Sequence, residues 1–74
     1  MGVEYKLKFA VKDSMKDFLA RLSDSFENEV TISLEDDGIY FCDNCCNSPI
    51  AANIFYRLVS EACNQANEVL IYEI

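Results

Sequence analysis

The chain of 74 residues carries six Lys and Arg against thirteen Asp and Glu and has no histidine, so its formal charge is 6 − 13 = −7. With 51% hydrophobic residues, two glycines and one proline, the composition excludes disordered, collagen-like and low-complexity chains. The length allows one small domain, whose folding buries roughly 60% of the unfolded chain's surface. No apolar run reaches the ~18–20 residues of a membrane span, and Met1 to Ala10 alternates where a secretory signal would be continuously apolar. A soluble, cytoplasmic protein is therefore the expectation.

From Val3 to Val11 the odd positions are apolar, with Glu4, Lys6 and Lys8 between them, the period of a strand with one buried face. Met15, Phe18, Leu19, Leu22 and Phe26 then recur at helical spacing, which with Ser14 as N-cap predicts a helix over 14–25. Alternation resumes from Val30 to Glu35, and Asp36-Asp37-Gly38 separates it from the β-rich run Ile39 to Cys42. Asp-Gly between two such runs is a hairpin signal, because glycine accepts the positive φ of a tight turn.

Ser48-Pro49 reads as an N-cap followed by proline at the first helical position. The apolar stripe Ala51, Ile54, Phe55, Leu58, Val59, Ala62 and Ala66 follows, with Asn67 as terminator. Its outward side is Asn53, Tyr56, Arg57, Ser60, Glu61, Asn64 and Gln65. Val69 to Ile74 forms the last strand.

The order β-α-β-β-α-β predicts an α+β fold, the ferredoxin-like plait: an antiparallel four-stranded sheet in the order 4-1-3-2 with both helices on one face. Leu7, Phe9, Leu22, Ile32, Phe41, Phe55, Leu58 and Val59 are its expected core. The alternative is an open-faced sandwich similar in topology to the phosphocarrier HPr. The chain has no histidine to accept a phosphoryl group as that family does.

The absence of histidine also removes the commonest general base and every Ser-His or Cys-His nucleophile pair. No glycine-rich phosphate loop is present, so no nucleotide cofactor and no enzymatic activity are expected. Glu35-Asp36-Asp37 reads as a solvated turn. Cys42, Cys45, Cys46 and Cys63 could supply four thiolates to zinc. Their spacing lacks the paired C-x-x-C units and glycine of a zinc knuckle, and Cys63 falls on the flank of the helical stripe, so reduced thiols without metal are favoured, Cys63 as a small core residue.

Negative charge disfavours nucleic acid and anionic membrane as partners and favours a basic protein. Asp24, Glu27, Glu29, Asp43 and Glu73 are expected to converge on one end of the sheet, and Asp36 and Asp37 to occupy the hairpin. Tyr40 and Tyr56 add aromatic contact area on low-charge surfaces. Both faces of the last strand are apolar, so either Leu70, Tyr72 and Ile74 or Val69 and Ile71 must meet the open sheet face, a candidate surface for a homodimer. These features fit a small non-enzymatic inhibitor, immunity protein or nucleic-acid mimic, with partner-binding residues Glu27, Glu29, Asp36, Asp37, Asp43, Tyr40 and Tyr56. The alternatives are a cysteine-based metal or redox module and a small-molecule-sensing or degenerate carrier domain.

Overall fold

The structure, a computed structural model, describes residues 3–22, 29–44 and 49–74. The elements follow the expected order: β1 (Val3–Lys8), α1 (Ser14–Leu22), β2 (Val30–Glu35), β3 (Gly38–Asp43), α2 (Pro49–Gln65) and β4 (Leu70–Glu73). The sheet order is β2-β3-β1-β4, and every neighbouring pair is antiparallel. This is the 4-1-3-2 arrangement of a ferredoxin-like plait, so the open-faced sandwich is not needed to account for the chain.

Directly paired residues share a face of an antiparallel sheet. Leu7 pairs with Ile39, and Ile39 with Leu34; Tyr5 pairs with Phe41, and Phe41 with Ile32. This face meets both helices in one cluster that includes Met15 and Leu22 of α1 and Ala51, Ile54, Leu58 and Ala62 of α2. The Phe55 ring lies 5.0 Å from those of both Tyr5 and Phe41, tying α2 to the two central strands. Of the expected core, Leu7, Phe9, Leu22, Phe41 and Leu58 are buried, while Ile32, Phe55 and Val59 are half-buried and pack against it.

Four local expectations are corrected. The first helix begins at Ser14 itself, so Asp13 takes the cap position, its carbonyl accepting from the Lys16 amide at 3.1 Å. The turn residues of the hairpin are Asp36 and Asp37, and Gly38 already pairs as the first residue of β3. Its φ of +155° does suit glycine, but the sharper requirement is close approach. A Cβ on Gly38 would collide with the Leu7 carbonyl oxygen and lie 2.9 Å from the Lys8 Cα.

Gln65 is buried instead of facing outward, its Nε2 donating to Glu61 Oε2 at 2.8 Å. Cys63, by contrast, is exposed and not a core residue. Two steps of four residues rotate the row Phe55, Val59, Cys63 by about 80° around the helix, which carries its last member out from under the sheet. The expected end of α1 at 25, the N-cap Ser48 and Phe26 lie outside the described residues. Among the described residues, no helix is long and apolar enough to cross a membrane.

Candidate functional site

The face turned away from the helices combines a closed polar centre with an open apolar margin. Register places Lys6 between Tyr40 of β3 and Tyr72 of β4, and Cys42 between Glu4 and Thr31. Lys6 retains only 8% of its exposure. Its ammonium donates to Asp37 Oδ1 at 2.7 Å and to the Glu35 carboxylate, which meets the need of a covered cation for charged partners. These bonds, to Asp37 first and Glu35 second, raise the Lys6 pKa above its ordinary 10.5, while the Lys6 bond holds Asp37 below its ordinary 3.8.

Tyr40 donates its hydroxyl to Glu4 Oε1 at 2.6 Å. That bond, then desolvation, then the neighbouring Cys42 thiol push the phenol well above its ordinary value. Thr31 and Asn44 exchange side-chain hydrogen bonds at the strand end, with Asn44 Nδ2 donating to Thr31 Oγ1 at 3.0 Å.

The Lys6 pair gives a pH dependence whose sign follows from linkage. Asp37, depressed in the folded state, adds stability that is present above its unfolded pKa of 3.8 and lost as pH falls through the folded value. Lys6, raised in the folded state, adds stability that is complete below 10.5 and lost as pH rises through its folded value. The stability difference between wild type and Lys6→Met is therefore expected to be level from about pH 5 to 9 and to change toward both extremes. Urea melts across the pH series read it, and a difference that does not vary with pH would remove the ion pair from the account.

At the margin, Lys8 pairs with Leu70 and Lys6 with Tyr72, and the Ile74 amide donates to the Glu4 carbonyl at 3.0 Å. Leu70, Tyr72 and Ile74 consequently share the open face. They are 59%, 45% and 65% exposed, so this is an apolar row left in water along an edge strand.

The sequence-predicted contact residues fall in separate places. Glu29 and Asp43 lie with Glu73 at the Val3 end of the sheet, since Asp43 pairs with both Val3 and Val30. Asp36 and Asp37 lie at the opposite end, beyond Gly38, where Lys6 already engages Asp37 and Glu35. Tyr40 is half-buried with its hydroxyl occupied, and Tyr56 is 73% exposed on α2, across the sheet from it. Glu27 and Asp24 lie outside the described residues. The apolar row was legible only as one of two alternatives, because its face depends on the β1–β4 register.

Cys42 is buried beside Tyr40 on the open face, while Cys63 belongs to α2 on the opposite side, so the sheet separates these two thiols. Cys45 and Cys46 lie outside the described residues. Among the described residues, no group of three or more His, Cys, Asp or Glu could hold a metal ion. Comparison with protein-family models, curated proteins and solved structures finds no match to this chain.

Proposed function

We propose that this domain is a small non-enzymatic interaction protein that docks a larger, basic protein on its open sheet face. The observation that carries the reading is the exposed row Leu70, Tyr72 and Ile74 on an acidic chain of formal charge −7. Exposed aliphatic and tyrosine side chains supply contact area that holds a complex, and negative charge speeds encounter with a positive surface. An inhibitor, immunity protein or nucleic-acid mimic works in this way, by occupying the surface its partner needs.

A photo-crosslinking residue at position 72, with position 56 as the control on the far side, tests the reading in cells. A covalent adduct with a basic protein at 72, lost on Leu70→Asp, is the expected result. Labelling at 56 alone would place the interface on α2 and overturn the assignment. With that partner in hand, reversing Glu27, Glu29 and Asp43 to Lys is expected to slow association about tenfold at low salt and to flatten its salt dependence. Leu70→Asp is expected to act mainly on dissociation.

A further inference from the structure

We infer that β4 takes up an extended segment of the partner as a fifth strand, and that this segment is apolar at its centre and basic at both ends. The inference rests on the proposed docking face and adds how the partner is held. β4 ends the sheet and pairs only with β1 among the described residues. The hydrogen bond from the Ile74 amide to the Glu4 carbonyl fixes the phase of that ladder. Hydrogen-bonded and non-hydrogen-bonded pairs alternate in an antiparallel ladder, so Lys6–Tyr72 and Lys8–Leu70 share the phase of Glu4–Ile74. Leu7–Ile71 and Tyr5–Glu73 do not, and the backbone N–H and C=O groups of Ile71 and Glu73 are turned to the outer side of the strand. A partner strand finds donors and acceptors there at the spacing it needs.

β4 contains no proline and no lysine; its four residues read Leu-Ile-Tyr-Glu, and the one charge within it, Glu73, is a carboxylate that repels acidic strands and admits a basic one. Charge selects the occupant. Glu68 precedes the strand and Glu73 ends it, so a carboxylate flanks each end of the apolar centre. A second copy fits poorly, because residues paired across a two-fold axis normal to the sheet share a face. Pairing Ile71 with itself sets Glu73 against Val69, pairing Tyr72 with itself sets Glu73 against Ile71, and pairing Leu70 with itself sets Glu68 against Tyr72. Each of these registers leaves a carboxylate facing an apolar or aromatic side chain, pairing Glu73 with itself opposes two carboxylates, and each copy adds a charge of −7. Glu68 and Glu73 are five positions apart and so lie on opposite faces, and a foreign strand with lysine or arginine five positions apart sets one cation against each in either chain direction.

The probe is the capped peptide Lys-Val-Thr-Val-Thr-Lys, with an analogue carrying Glu at both ends and two analogues N-methylated on one or the other alternate set of backbone amides. The basic peptide is expected to bind at least tenfold more tightly than the acidic one and to slow hydrogen exchange at the Ile71 and Glu73 amides. One methylated set should abolish binding and the other spare it, since only alternate amides face β4. Ile71→Pro removes an outward N–H without breaking the ladder to β1, and is expected to lose the peptide by tenfold or more; should that variant fail to fold, the methylated pair decides alone. Equal binding of both methylated peptides, or of the acidic and basic ones, overturns the inference. So does a dimer by light scattering with Ile71 protected in the absence of peptide. Loss of peptide binding with the position 72 crosslink intact removes strand addition and leaves open-face docking standing.

Discussion

Gly38→Ala is expected to destabilise the domain by on the order of 3 kcal/mol or more, through a collision with backbone that cannot yield. The added methyl group would meet the Leu7 carbonyl oxygen and approach the Leu7 carbonyl carbon and Lys8 Cα to 2.9 Å. All three belong to β1, which is held on one side by β3 and on the other by β4. Relief would require β1 to move away from β3 near Lys8, weakening the hydrogen bond from the Phe9 amide to the Asp37 carbonyl at 3.0 Å. At about 0.05–0.15 kcal/mol per residue, a domain of 74 residues holds about 4–11 kcal/mol in all, so such a loss leaves a substantial unfolded population. Urea unfolding of the variant, or its far-ultraviolet dichroism if it does not fold, is the measurement. A midpoint within error of wild type would mean that β1 yields easily at this position. Glycine is required here by strand crowding, a reason that the dipeptide Asp-Gly does not disclose.

The parts of the fold that were legible in the sequence are those in which local periodicity and long-range packing agree. β1 and β2 alternate cleanly because one face of each meets the helices, and the stripe of α2 follows from one buried side. Legibility fails where a residue's environment is set by distant chain. Lys6 alternates as a solvent-facing strand residue, yet Glu35 and Asp37, some thirty positions away, close over it. Gln65 and Cys63 exchange their expected environments because rotation about α2 and the position of the sheet edge decide burial, and neither is encoded in residue type. The β4 surface is the clearest case. Val69 to Ile74 is apolar on both sides, so the choice of row for the open face waits on the pairing of Lys6 with Tyr72.

Phe41→Ala is expected to cost about 3–5 kcal/mol, the range for removing a buried aromatic ring without full collapse of the cavity. Phe41 is 2% exposed and stands at the centre of the sheet, paired with Tyr5 on one side and Ile32 on the other. Its ring lies 5.0 Å from that of Phe55 at 55°, a contact that, with the one between Phe55 and Tyr5, ties α2 to the sheet. Phe55 is only half-buried, so Phe55→Ala should cost less than Phe41→Ala, because solvent can enter part of the space it leaves. A double-mutant cycle between the two isolates the ring contact from the cavities. The expected coupling is about 0.5–1.5 kcal/mol, since each single truncation already removes the shared contact. Urea unfolding of the four species gives both quantities. Equal costs for the two truncations would move the centre of the core from the β3 side of this contact toward α2, and additive costs would show that the rings fill space without interacting.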